Sequence, residues 1–436
     1  MEEPGKQEDS KGGLLKALAI DVRPLKYSRE YRLLFVGQFV SYFGSAISYV
    51  VLPWQVYQLT KSTFAVGMLG VVEFGPMFVM AFVGGSLADY IDRRRLIILA
   101  ETGLTLCCGL LIVNSLLPKP HAWILFLVSA LFAALNSLHR PALESLTPRL
   151  VDPGHYTAVA ALNAFRYSFS YIVGPAFGGI IAASLGAAFA FSIDAATFIV
   201  SIITVLLISP VPVPKDPDPV GFRSIITGFK YARSRQELLG TYLIDLNAMF
   251  FGMPMALFPA IAEGFGKSSL GLLYAMPAVG SLVVSLTSGW TSRINRQGLG
   301  VTIAATLWGV AIVFFGLTRN LWLALFFLVL AGGADCVSGL FLMTIWNQTI
   351  PDHLRGRLAG IEMISYLTGP YLGNGEAGLV ASRFGLRTSV VSGGVLCVLG
   401  SGVLALLLPQ FIKYDGREGL AKRQKEEAKR ELIQRA

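Results

Sequence analysis

The sequence predicts an all-α integral membrane protein: twelve transmembrane helices in two six-helix bundles, with the N- and C-termini in the cytoplasm. Composition is the first reason. Of 436 residues only 14% are charged while 54% are hydrophobic, and the mean hydropathy is +0.60. A soluble protein carries about 25% charged residues, so a water-facing globule of this length would lack polar cover. The second reason is a series of apolar runs long enough to cross a bilayer. The third is that the last six runs repeat features of the first six.

Crossing a bilayer takes about 20 apolar residues per helix. Twelve runs meet that length: 31–57, 64–88, 96–117, 123–144, 157–183 and 187–208, then 238–262, 268–290, 299–317, 321–346, 358–381 and 388–411. The polar residues 1–30 precede them as a cytoplasmic tail without the apolar core of a signal peptide. Between the two sets, 209–237 is proline-rich and charged and reads as a cytoplasmic linker. Its second part places Phe222, Ile225, Ile226 and Phe229 at helical spacing beside Arg223, Lys230, Arg233 and Arg235, the pattern of a helix lying on the membrane surface. The bundles are thus 31–208 and 238–412, and 413–436 is a basic cytoplasmic tail.

The net charge of +9 resolves into topology. Of 36 lysines and arginines, 29 fall on the side of the termini. Six lie in the opposite loops (Lys61, Lys119, Lys267, Arg319, Arg383 and Arg387), and Arg166 alone falls near the middle of a run. That asymmetry sets the termini inside, so the basic surplus needs no nucleic-acid partner. Cys107, Cys108, Cys336 and Cys397 sit in apolar runs without metal-ligand spacing and read as packing residues. His121, His139, His155 and His353 read as loop or helix-end residues, and no nucleophile constellation, metal set or cofactor motif is present. The chain is not expected to be an enzyme.

Two stretches recur between the halves. An offset of 204 superposes Gly67 on Gly271 and Gly85 on Gly289; an offset of 195 superposes Ser170-Tyr171-x-x-Gly174-Pro175-x-x-Gly178 on Ser365-Tyr366-x-x-Gly369-Pro370-x-x-Gly373. Two related bundles can rock about a site between them, the architecture of alternating access. The loop after the second run reads Gly85-Ser86-Leu87-Ala88-Asp89, then Arg93-Arg94-Arg95. It resembles motif A of the major facilitator superfamily, which implies the major facilitator fold and a conformational latch at Gly85, Asp89, Arg93 and Arg94. The second-half copy has Arg293 where Asp89 stands and lacks the acid. Gly174, Pro175, Gly178 and Gly179 form a helix-bend motif, because a mid-helix proline frees a carbonyl and glycines allow close packing. The motif resembles that of antiporters (motif C), with Ser170 replacing a glycine, and Gly369 and Pro370 repeat it.

Within that superfamily the running text is similar to the transmembrane secretion effector group, which includes enterobactin exporters and macrolide efflux proteins. The likeness rests on Ser62 to Gly67, Gly84 to Arg95, Gly228 to Tyr231, Leu257 to Ala260, Gly271 to Ala275 and Arg355 to Gly360. It implies export of a siderophore-like or other amphipathic small molecule from the bacterial inner membrane, driven by proton entry. The arginine that many proton-coupled relatives carry in the fourth helix (motif B) is absent from 123–138.

An ionisable side chain near the bilayer centre costs at least ~2.5–3.5 kcal/mol and so needs a role. At ~1.5 Å per residue, Glu73 and Arg166 lie about 14 Å into their helices, Asp335 about 21 Å and Asp245 roughly 10 Å. These four are the proton-coupling candidates, with an Arg166–Glu73 pair between neighbouring helices as the alternative reading. In the superfamily resembled, helices one, four, seven and ten line the cavity. That puts Gln38, Tyr42, Tyr49, Asn136 and Asn247 with the two aspartates near substrate. Glu101, Glu144, Asp352 and Glu362 read as gate residues at helix ends, and Asp194 and Glu376 have no assigned role. The expected protein is a monomeric secondary exporter whose partners are its solute, protons and membrane lipid. Uptake of a polar nutrient and a non-transporting receptor or scaffold are the competing readings.

Overall fold

The computed structural model describes residues 21–209, 230–351, 355–417, 419–421 and 423; the side chains of 81–90, 355–357 and 359–367 lie outside that set. Twelve long helices follow one another: α1 (Arg29–Thr60), α2 (Thr63–Tyr90), α3 (Arg93–Leu116), α4 (Ala122–Leu146), α5 (Tyr156–Ser184), α6 (Ala187–Leu206), α7 (Gln236–Phe251), α8 (Ser269–Thr287), α9 (Gln297–Leu317), α10 (Leu321–Thr349), α11 (Arg355–Phe384) and α12 (Leu386–Leu407). Among the described residues, 10 segments are long and apolar enough to cross a membrane. The helices outside that number are α5 and α11, of 29 and 30 residues. Both carry the Gly-Pro motif; serine, tyrosine, asparagine and arginine lower the hydropathy of α5, while α11 includes residues outside the described set.

Local chemistry sets the helix starts. The Ser28 side chain accepts from Tyr31 N, Asp92 from Arg94 N, and Asn320 from Trp322 N and Leu323 N. Each cap satisfies an amide that the first turn leaves free. Gly186 and Gly385 hold φ of +84° and +92° in the turns before α6 and α12, a conformation that costs other residues a Cβ clash.

One helix departs from the sequence expectation. Instead of a continuous seventh helix over 238–262, α7 stops at Phe251, and a second piece runs Phe258–Phe265. Pro254 supplies no amide there, and the freed backbone groups find side chains. Trp308 Nε1 donates to Gly252 O (3.0 Å), Tyr274 Oη to Met255 O (3.0 Å), and Ala256 N to Asn374 Oδ1 (3.1 Å). An irregular backbone persists at membrane depth only when neighbours satisfy it in this way.

The helices pack in two halves with matching neighbours. In the first, α1 lies against α5 and α6, α2 against α4, and α3 against α4 and α6; in the second, α7, α8 and α9 repeat those contacts with α10, α11 and α12. The halves meet through α2 with α11 and α5 with α8, which exchange under the same six-helix shift. This arrangement corrects one expectation: α2 and α5 are not principal neighbours, so the Arg166–Glu73 pair does not form. The surface-helix part of the linker, 222–229, lies outside the described residues.

Candidate functional site

Among the described residues the halves touch at one end. A Cβ on Gly179 of α5 would lie 2.6 Å from Gly271 Cα of α8, and one on Gly378 of α11 would lie 2.9 Å from Gly67 Cα of α2. Backbones approach this closely only where side chains are absent. The same end holds the Lys61–Glu263 ion pair at 2.6 Å, and Tyr57 and Gln58 also donate to Glu263 at 3.3 Å. Among the described residues, Gly75, two turns along α2 from Gly67, has nothing within 4 Å of a built Cβ. Among the described residues, Asn136 and Tyr167 are exposed on the side of this contact that carries Arg93 and Arg140, which marks a crevice between the halves there.

Gly174, Pro175, Gly178 and Gly179 belong to the closed end. Gly174 and Gly178 seat α5 on Ala46 and Ile47 of α1, leaving Gly179 for α8. In the second half Gly369 packs on Met249 of α7, and Pro370 lies one residue further along α11. Asn374 stands where the 195-residue offset places Gly179, and its side chain holds the broken segment of α7. One motif thus seats each crossing helix on its own half and on the other.

Beneath this contact runs a chain of tyrosines. Tyr167 stacks on Tyr171 (4.4 Å between centroids), Tyr171 meets Tyr49 edge-on (6.2 Å), and Tyr49 meets Tyr274 of the other half (5.8 Å). Tyr49 Oη also lies 3.4 Å from Met255 Sδ. Tyr167 and Tyr49 remain 50% and 44% exposed, so rings and hydroxyls face the space between the halves, a surface suited to an aromatic or amphipathic solute. Tyr42 carries the Arg166 guanidinium 4.5 Å above its ring. That contact is a cation–π pair, and Arg166 Nε is buried without a hydrogen-bond partner among the described residues.

The remaining candidates divide. Glu73 is half-buried on α2 and accepts from Ser129 of α4. Asp335 is half-buried on α10 of the opposite half, Asp245 is half-buried on α7, and Asn136 is exposed on α4. Two residues expected in the cavity are turned away from it. Gln38 is fully buried and donates to Glu101 Oε1 (2.8 Å) and Ser201 Oγ (3.0 Å) inside the first half. Asn247 donates to Cys397 O (2.9 Å) and Ser401 Oγ (3.3 Å) of α12. Both sit on cavity-lining helices but on the faces that pack within a bundle, where an amide finds fixed partners.

Arg93 and Arg94 are engaged within their own half. Arg93 donates to Ser145 of α4 (3.0 Å), and Arg94 to Val205 O (2.9 Å) and Leu206 O at the end of α6, the favoured place for a cation. The Gly85 and Asp89 side-chain positions lie outside the described set. Other expectations are corrected. Glu101 is fully buried rather than at a gate, and His139 is 6% exposed within α4 rather than in a loop or at a helix end; Asp194, which had no assigned role, is buried among Ser45, Cys108 and Thr197. Helical spacing was the available signal: Asp194, Thr197, Ser201 and Thr204 share one face of α6.

Two helical halves of matched packing, closed over a crevice at one end, define a membrane transporter of the major facilitator fold. The description "Transmembrane secretion effector" matches residues 21–430, so the chain belongs to that family. The enterobactin exporter EntS of Salmonella choleraesuis is 28% identical over 390 residues, 88% of this chain and 93% of that protein, and that of Escherichia coli O81 is 28% identical over 391 residues with the same coverage. Solved structures share the fold at low identity. The nucleoside transporter NupG superposes with TM-score 0.68 at 14% identity, covering 89% of this chain and 100% of that one. A bacterial homolog of the human lysosomal transporter Spinster, in an inward-facing and unoccupied conformation, superposes with TM-score 0.69 at 18% identity, covering 90% and 98%. Family and relatives are transporters rather than enzymes, and the chain is a multi-pass protein of the bacterial inner membrane.

Proposed function

We propose that this protein is a monomeric, proton-driven exporter of a siderophore-like or other amphipathic small molecule, working by alternating access. The supporting observation is the tyrosine chain Tyr167–Tyr171–Tyr49–Tyr274, which crosses from one half to the other beneath the closed end. Its rings suit an aromatic or macrocyclic solute, and its position makes the solute's contact depend on how the halves sit. In this reading all twelve helices span the bilayer with both termini cytoplasmic, an orientation that the lysine and arginine asymmetry supports. The closed Lys61 end is then external and the crevice faces the cytoplasm. Glu73 and Asp335, on opposite halves, are the coupling carboxylates, with Asp245 and Arg166 in supporting roles. The Gly85–Asp89–Arg93 segment latches the alternative, outward-facing state.

Export is tested with catechol siderophores and macrolides in proteoliposomes of defined orientation. Movement toward the Lys61 face, accelerated by an opposing proton gradient and stopped by a protonophore, is the expected result. Movement indifferent to the gradient removes proton coupling; solute uptake from the Lys61 face reverses the direction; no flux of any solute favours a receptor or scaffold.

A further inference from the structure

Three buried donors line the seam between α1 and α5 in the first half. Arg166 is 9% exposed, Ser170 0% and Tyr31 1%. Arg166 Nε, Ser170 Oγ and Tyr31 Oη have no hydrogen-bond partner among the described residues. All three belong to one contact. Arg166 and Ser170 lie one turn apart on the same face of α5, and Gly174 carries that face onto Ala46 of α1. Tyr31 packs with Val159 and Leu162, the latter one turn before Arg166, and lies within electrostatic reach of the guanidinium.

The flanks of the seam differ. On one side phenylalanines cover it: Phe39 of α1 lies 6.2 Å from Phe165 and 5.2 Å from Phe169 of α5, and Phe43 lies 6.3 Å from Phe169, between ring centroids. On the other side Tyr167 and Tyr171 belong to the tyrosine chain at the crevice. The Tyr42 ring takes the guanidinium 4.5 Å from its centroid. A guanidinium stacked on a ring still has its N–H edge for a planar or point acceptor.

Charge decides what the seam holds. Among the described residues the guanidinium meets the Tyr42 ring and forms no ion pair. A buried cation without a counter-charge is destabilising at membrane depth. Water satisfies the N–H and O–H groups but leaves the charge. A monovalent anion answers both needs, whereas a divalent one brings a second, unpaired charge into the interior.

We propose that the α1–α5 seam binds one monovalent anionic group, a carboxylate or a halide, held by Arg166 with Ser170 and Tyr31 as flanking hydroxyl donors and reached from the tyrosine side. The same chemistry has two sources: a free anion entering the crevice, or an acidic group of the transported solute. The second source rests on the transport reading above; the site itself does not.

Thermal unfolding of the full chain in phosphatidylcholine nanodiscs, whose lipid has no net charge, tests it. Sodium chloride, sodium benzoate or neutral benzamide is titrated in, with sodium sulfate holding the ionic strength constant. A ligand of the folded state raises the melting temperature with its concentration, and comparing wild type with Arg166→Gln in each salt cancels general salt effects. The expected result is a rise with chloride or benzoate that Arg166→Gln abolishes and Arg140→Gln, outside the seam, retains. Ser170→Ala and Tyr31→Phe keep the cation, so the test does not hinge on Arg166→Gln; each should move the response to roughly threefold to tenfold higher anion concentration. A chloride response identifies a free anion, and a response to benzoate without chloride assigns the site to an acidic aromatic solute. No rise with either anion, a rise that Arg166→Gln retains, equal rises with benzamide and benzoate, or a response unmoved in both hydroxyl variants overturns the proposal. Anion-dependent stability in a protein that exports nothing counts against the transport reading alone; export without it counts against the site alone.

Discussion

Gly179 of α5 and Gly271 of α8 meet with so little space that a Cβ on the first would lie 2.6 Å from the second's Cα. The contact has a counterpart in Gly378 and Gly67 on the other side of the closed end. Substituting Gly179 by leucine forces α5 and α8 apart, and overpacking of this kind costs about 1–3 kcal/mol. The closed end should then open in a fraction of molecules larger by roughly one to two orders of magnitude. Cysteine cross-linking between the ends of α5 and α8 measures it; an unchanged cross-linking rate contradicts a role for this contact in closure.

The Lys61–Glu263 pair bridges the same end, yet its side chains are 56% and 35% exposed. An ion pair this wet contributes about 0–1 kcal/mol. Glu263→Gln should therefore shift the conformational balance by no more than about fivefold, and less at high salt. The charge-swapped double variant Lys61→Glu, Glu263→Lys should recover wild-type cross-linking.

Asn247 is held to α12 of the second half by two hydrogen bonds, and a packing role is expected of it. Asn247→Leu leaves Ser401 Oγ and the Cys397 carbonyl without their donor, at a cost of about 1–3 kcal/mol. The expected result is a lower melting temperature with an unchanged transport KM. A raised KM at constant thermal stability would return Asn247 to the cavity.

For Tyr167 the opposite split is expected. Its ring is half exposed and stacked on Tyr171, and removing an aromatic contact of this kind forfeits about 0.5–1.5 kcal/mol. Tyr167→Ala should raise the transport KM for an aromatic solute several-fold with little thermal loss, and Tyr167→Phe should restore most of it.

Arg166 is buried beside Tyr42 with Nε unpartnered among the described residues. Arg166→Gln removes an expensive buried charge, so the melting temperature should hold or rise. If the arginine meets an anionic group of the solute, affinity for anionic solutes falls at least tenfold while neutral ones are spared. Equal losses for both kinds of solute would assign Arg166 to packing.

Sequence reading succeeded where a feature is carried by neighbours in the chain. Apolar length marked the helices, and the Ser-Tyr-x-x-Gly-Pro repeat marked two corresponding elements before their contacts were known. It failed where a helix face decides. Gln38 and Tyr42 lie one turn apart on α1, but Gln38 meets Glu101 while Tyr42 meets Arg166. Nothing in the running order distinguishes those faces. The break in α7 was missed because Pro254 in an apolar run reads as a tolerated kink until Trp308, Tyr274 and Asn374 are seen holding the freed backbone.

The sequence by itself determined the helical membrane fold, the relation between its halves and the family, because the bilayer demands long apolar segments and small residues at close crossings. Only the tertiary structure decided that Gly179 closes on Gly271, that the tyrosines form one chain, and that Arg166, Ser170 and Tyr31 share one seam. These depend on the rotation of each helix about its axis, which is set by contacts between residues far apart in the chain, 100 positions for Ser201 and Glu101 and 206 for Tyr49 and Met255.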